Sequence, residues 1–170
     1  MRRKCIFGLM GIVAFLAACA STSHAVAGNP GNGMLVIGVL LHEMNAAGQM
    51  GSGLYPVSSV AVRNLDTGHV DAIQLSSNHG IATLSAGTYC VDSLLRPNGD
   101  TLTYCAQPYF KVNAGKILVA GFIEFALNPP THTYKLVGAF TDPQGLFDSL
   151  PADAKDRLAD FSQNETPAPH

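Results

Sequence analysis

The chain has 170 residues, 47% of them hydrophobic, and a formal net charge of −2. That length suits one domain, which can bury a sizeable core without metals or many disulfides. Beyond Arg2, Arg3 and Lys4 the lysines and arginines form no cluster, which argues against nucleic acid as a partner, because phosphate contacts need grouped basic side chains.

Arg2, Arg3 and Lys4 make a positive n-region, and Ile6 to Ala18 is an unbroken run of apolar and small residues, the layout of a secretory signal peptide. At 1.5 Å per residue the run reaches about 20 Å, short of the ~30 Å hydrocarbon core, so a permanent transmembrane helix is the weaker reading. The run ends in Leu16-Ala17-Ala18-Cys19, which resembles the bacterial lipobox. That resemblance implies cleavage between Ala18 and Cys19, a diacylglyceryl thioether on Cys19 and acylation of the new amino group. No other cofactor is expected. Ala20, where an inner-membrane retention signal would place Asp, favours an outer-membrane destination, and the periplasmic side is the expected face. The competing reading is an ordinary signal peptide cut near Ala20 or Ala25.

Once Arg2, Arg3 and Lys4 are removed, seven Lys and Arg face twelve Asp and Glu, a net charge of −5. Of the four cysteines, Cys5 leaves with the signal and Cys19 carries lipid. Cys90 and Cys105 then remain in an oxidising compartment, where only one pairing is possible.

Residues 19–33 read as the lipidated cysteine and a flexible, Gly-rich tether in which His24 has no partner of ligand type nearby. Met34 to His42 is a continuous apolar run of strand length, expected to be buried on both faces. Asn45 to Gly53 reads as a loop, and it lacks the Lys-Ser/Thr that a phosphate cradle needs. Ser59–Leu65 and His69–Leu75 flank Asp66-Thr67-Gly68, a three-residue hairpin loop that would set Leu65 against His69 and Arg63 against Asp71. Val60, Val62 and Val70 would share the opposite face. A weak metal-site reading attaches to His69 and Asp71, and the cross-strand pair with Arg63 is the plainer account of those charges.

Leu84 to Tyr89 leads into a further strand, and Arg96-Pro97-Asn98-Gly99 reads as a four-residue loop with Pro placed for type I and Gly for positive φ. This register pairs Leu95 with Asp100 and puts Cys90 directly opposite Cys105, a cross-strand disulfide on the less apolar face. Tyr109–Val112, the turn Asn113-Ala114-Gly115 and Ile117–Leu127 read as another hairpin, its second strand deep in the domain. Glu124 interrupts that strand, either as an outward or hydrogen-bonded side chain or as an acid with a raised pKa in a pocket. His132–Phe140 reads as a last strand. Leu150, Ala154, Leu158 and Phe161 then recur at helical spacing, an amphipathic stripe expected to dock on the sheets.

Leu84-Ser85-Ala86-Gly87-Thr88-Tyr89-Cys90-Val91, followed by Phe110-Lys111-Val112-Asn113-Ala114-Gly115-Lys116 and the strand Ile117 to Phe125, resembles prealbumin-like and carboxypeptidase-regulatory-like β-sandwiches and several bacterial envelope lipoproteins. The expected fold is therefore all-β, an antiparallel β-sandwich of about seven to eight strands with a short C-terminal α-helix. The expected divisions are a signal at 1–18, the lipidated tether at 19–33, the sandwich at 34–141, a helical segment at 142–162 and a disordered tail at 163–170. Fold analogy carries no chemistry.

Two classes of function follow. One is a non-enzymatic binding or structural module, tethered to the membrane by Cys19, with an envelope protein or a cell-wall component as partner. The other is a metal-dependent or hydrolytic enzyme using some of His42, Glu43, His69, Asp71, His79 and His132. No motif joins those residues: His42-Glu43 has Ala46 where a zinc-protease helix needs its second histidine, and Gly51-Ser52-Gly53 has the wrong spacing for a nucleophile elbow. The non-enzymatic module is the favoured reading.

Overall fold

The computed structural model describes residues 31–45, 47–129, 131 and 133–164. The first of its strands, β1 (Asn32–Met44), is the apolar run, and it is buried along most of its length. It runs parallel to β9 (Ile117–Asn128), with Met34 beside Ile117 and Glu43 beside Leu127. Along its other edge lie two shorter strands end to end: β5 (His79–Ser85) pairs with its first half and β2 (Met50–Tyr55) with its last turn of chain. A final strand, β10 (Thr133–Thr141), closes the other flank against β9.

The second sheet holds β3 (Ser59–Asn64), β4 (Val70–Gln74), β6 (Gly87–Leu95), β7 (Thr101–Thr103) and β8 (Phe110–Val112), with β6 at its centre. Leu35, Ile37, Val39 and Leu41 of β1 face Val60, Val62, Val91 and Leu94 of this sheet, and together they form the main core. Tyr89 stacks on Phe110 at 5.7 Å between ring centres, and its hydroxyl donates to Ser85 O at 2.7 Å, which closes the corner where β5 turns into β6.

A second core covers the opposite face of β1. Asp142 caps α1 (Pro143–Ser149) by accepting from the Gly145 amide at 2.9 Å, and α2 (Ala152–Asn164) follows after Pro151. Leu146, Leu150, Ala154 and Leu158 pack against Met34 and Val36. The order of layers is helices, sheet, sheet, so β1 lies in the middle layer and needs apolar residues on both sides.

The arrangement is β-rich and sandwich-like, and it departs from the expectation in several respects. The described residues form ten strands, and β1 with β9 is a parallel pair within a sheet expected to be wholly antiparallel. Two helices stand where one was expected, because Asp142 and Pro143 cap and start a turn of helix ahead of the amphipathic stripe. The loop expected at Asn45 to Gly53 is a hairpin. The Asn45 carboxamide oxygen accepts from the Ala47 and Gln49 amides at 3.0 and 2.9 Å, and β2 begins at Met50. β8 and β9 do not form a hairpin: β8 pairs with β6 and β9 with β1, so Asn113 to Lys116 carries the chain from one sheet to the other. β1 begins at Asn32, within the expected tether, and α2 extends to Asn164, past the expected start of the tail.

Both hairpin loops differ from expectation by one residue, in opposite directions. Arg63 pairs with Val70 and Asn64 bonds His69, so the first loop has four residues, Leu65 to Gly68. The Asn64 side chain causes this, since its oxygen accepts from the amides of Asp66 and Thr67 and draws Leu65 out of the ladder. Val70 is consequently exposed, while Val60 and Val62 are buried as expected. In the second hairpin the Arg96 amide donates to Asp100 O at 2.9 Å, which leaves the three-residue loop Pro97-Asn98-Gly99 with Gly99 at φ +89°.

Removing a buried leucine from the helix-covered core tests whether the helices stabilise the sheets. Leu158→Ala is expected to lower the unfolding free energy by about 2–5 kcal/mol. The check is a shifted urea midpoint in a cooperative transition; an unchanged midpoint would mean that α2 contributes nothing.

Candidate functional site

The lipidation residue Cys19, its preceding Leu16-Ala17-Ala18, Cys5, His24 and His132 lie outside the described residues. The remaining candidates fall into separate groups. His42 on β1 and Glu124 on β9 stand on the outer face of the first sheet, beyond the area covered by the helices. His42 Nε2 lies 3.1 Å from Glu124 Oε2, with the two side chains 19% and 23% exposed. Thr141 Oγ1 donates to Glu124 Oε1 at 2.7 Å. Gly138 makes room for this carboxylate, because a β-carbon there would come within 3.0 Å of Glu124 Oε1.

Glu124 is therefore a hydrogen-bonded acceptor, the plainer of its two readings. A carboxylate holding an imidazole is the orienting half of a hydrolytic triad. The hydroxyl bonded into the group, however, reaches the carboxylate instead of the imidazole. Glu43, next in sequence to His42, is exposed on the other side of the strand.

His69 and Asp71 are brought together, Nε2 to Oδ1 3.3 Å, on an exposed hairpin edge. Arg63 does not meet Asp71. The register places it beside Cys90, and its guanidinium binds Asp92 Oδ1 through Nε at 2.7 Å and Nη2 at 2.6 Å. Asp92 is available because it is an extra residue in β6, sitting between the partners of Ala61 and Val62. His79 is buried to 9% exposure beside a cavity of about 240 Å³ under α2, with Nδ1 3.3 Å from Ser77 O. Among the described residues no three His, Cys, Asp or Glu side chains gather as a metal site.

Cys90 and Cys105 form a disulfide, with Cα atoms 5.1 Å apart. They are not directly opposite: the shorter loop places Cys105 against Val91, and its amide donates to Val91 O at 2.8 Å. In a regular strand this slip would turn Cys105 to the face opposite Cys90. β7 ends at Thr103, however, and Cys105 takes φ +40°, which returns its sulfur to the outer face. Opening the bridge as Cys90→Ala with Cys105→Ala is expected to cost about 3 kcal/mol of stability, read as a lowered denaturant midpoint. An unchanged midpoint would contradict it.

Arg96 is the residue that the sequence did not single out. Its backbone stays in the ladder, so its side chain points between the sheets like Leu94, and it is only 17% exposed. Nη1 binds Asp100 Oδ2 at 3.0 Å, and the guanidinium carbon lies 4.9 Å from the centre of the Tyr55 ring. Nε is buried with no acceptor among the described residues. A cavity of about 230 Å³ is lined by Arg96 together with Asp100, Thr101, Leu102, Leu127 and Tyr134. An arginine just before a Pro-Asn-Gly turn reads as a surface residue; only the loop length reveals its direction.

Burial raises the phenols of Tyr134 and Tyr89 above the ordinary 10.0. Tyr89 has smaller opposing contributions from the Asn64 hydrogen bond, which lowers it, and from nearby Asp71 and Asp66, which raise it. The folded state thus favours the neutral phenols. Their contribution is fully present below pH 10 and is lost as pH rises through 10 toward the raised folded values. Tyrosinate absorbance of folded protein is expected to rise at higher pH than that of protein unfolded in urea, with the denaturant midpoint falling in the same range. Coincident curves would refute this.

No family model matches the chain, and neither a curated protein nor a solved structure matches it.

Proposed function

We propose that this protein is a bacterial envelope lipoprotein, held by lipid on Cys19 at the periplasmic side of the outer membrane, whose sandwich-like domain acts as a non-enzymatic binding or structural module. The observation that carries this is Leu16-Ala17-Ala18-Cys19 at the end of a basic and then apolar leader. Two or more acyl chains, at about 0.8 kcal/mol for each buried CH₂, would hold such a domain on a bilayer. Its partner on this reading is another envelope protein or a cell-wall component. A disulfide between Cys90 and Cys105 suits export to an oxidising compartment.

The hydrolytic alternative draws on the His42–Glu124 pair alone. Thr141 bonded to the carboxylate counts against a triad, because an attacking hydroxyl must hand its proton to the imidazole.

Cys19→Ala tests the anchor. Metabolic labelling with radioactive palmitate and membrane fractionation are expected to show no label and either release of the protein or accumulation of unprocessed precursor. Labelled, processed and membrane-retained variant would overturn the proposal.

A further inference from the structure

We propose that the cavity between α2 and the corner joining β4 to β5 binds a neutral saccharide, with His79 as a fixed acceptor on its wall. The inference names a ligand class for the binding module proposed above and rests on that reading for its role, although its geometry is independent of the anchor.

The ring of His79 is buried to 9% exposure, yet only one of its nitrogens is engaged. Nδ1 lies 3.3 Å from Ser77 O, and a carbonyl oxygen can only accept, so Nδ1 holds the proton of the neutral imidazole. Nε2 is thereby left as an acceptor. It has no hydrogen-bond partner among the described residues, and it is not one of the buried atoms sealed from solvent without a partner, so it keeps accessible surface. The ring lines the cavity of about 240 Å³, the space from which a donor would reach it. A polar group in so buried a ring loses free energy until a donor meets it.

The rest of the lining is polar in both senses. Gln74 and Ser76 on the sheet side, and Asp153 and Arg157 one turn apart on α2, line the same cavity. None of these four side chains is hydrogen-bonded to or paired with a described residue. Asp153 accepts, as His79 Nε2 does; Arg157 donates, and Gln74 and Ser76 do both. An anion would meet Asp153 and a cation would meet Arg157, so the two charges together favour a neutral ligand. Hydroxyl groups donate and accept at once, and several on one ring satisfy a mixed lining that a purely accepting or purely donating ligand cannot. Ile81, Pro151 and Ala154 add an apolar part of the wall for the C–H surface of such a ring. At ~30 Å³ for each water the cavity has the space of about eight waters. A sugar ring replaces several of them and, through its hydroxyls, their hydrogen bonds. A free sugar and one unit of a glycan chain present this same chemistry.

The experiment observes the histidine ring nitrogens of the ¹⁵N-labelled full chain in detergent, in mildly alkaline buffer where imidazole is ordinarily neutral. The chain has six histidines, and the His79 signals are assigned by their loss in His79→Gln or, should that variant not fold, by substituting the others in turn. Before any addition His79 is expected to show a protonated Nδ1 and a bare Nε2. Glucose and chitotriose are then titrated separately, with acetate and methylammonium as charged controls. A saturable shift of Nε2 toward that of a hydrogen-bonded nitrogen is expected with at least one sugar and with neither ion. Response to glucose without chitotriose assigns the site to free sugars; response to chitotriose assigns it to a glycan chain. Asp153→Ala and Arg157→Ala, at exposed positions of α2, are each expected to weaken binding roughly threefold or more. The proposal is overturned if Nε2 carries the proton, if neither sugar gives a saturable shift, if an ion acts in their place, or if both variants bind as well as the parent. Either result leaves Cys19 anchoring untouched, as loss of anchoring would leave this titration untouched.

Discussion

Burial of β1 on both faces is the constraint on which the other elements depend. A strand in the middle of three layers has no solvent side, so its neighbours must supply hydrogen bonds along both edges and apolar side chains above and below. β9 meets one edge throughout, and β5 and β2 divide the other. The second sheet covers Leu35, Ile37, Val39 and Leu41, and the helices cover Met34 and Val36. Each covered leucine or isoleucine contributes about 1.5–3 kcal/mol. Without α1 and α2 the outer face at Val36 would be wet.

The polar groups occupy what this packing leaves over. His42 and Glu124 lie on the same outer face as Met34 and Val36, further along the strands where the helices no longer reach. Beyond the helices that face carries the His42–Glu124 pair beside Leu40 and the buried Ala126. Arg96 uses a different gap. Where the two sheets end, side chains from both converge without closing the space, and a long cation with an aromatic partner reaches into it. The anchor and this cavity belong to different levels of organisation. Lipidation requires only a short extended sequence, whereas the cavity requires β6, β7, β9 and β10 in register.

Insertions of single residues account for much of the local chemistry. The extra Asp92 in β6 provides the carboxylate for Arg63, and a shift in β9 at Ala120 changes which residues face the core along the rest of that strand. The exit of Cys105 from β7 allows a disulfide that the ladder register alone would forbid. In each case one residue of slip exchanges the two faces of a strand, because side chains alternate with period two.

The sequence alone determined the features that depend on near neighbours: the apolar run of β1, the Tyr89 corner, positive-φ glycines at Gly68 and Gly99, the stripe of α2, and the single pairing open to Cys90 and Cys105. Tertiary structure decided what depends on distant partners. Loop lengths around Asn64 and Arg96 turned on side-chain hydrogen bonds that compete with ladder pairing by about 1 kcal/mol, too small a difference for residue patterns to rank. The parallel pairing of β1 with β9 spans some eighty residues and leaves no periodic mark, since strands buried on both faces read alike whichever neighbour they take. For the same reason His42 and Glu124 looked unrelated in the chain, and Arg96 looked like part of a turn until the register directed it between the sheets.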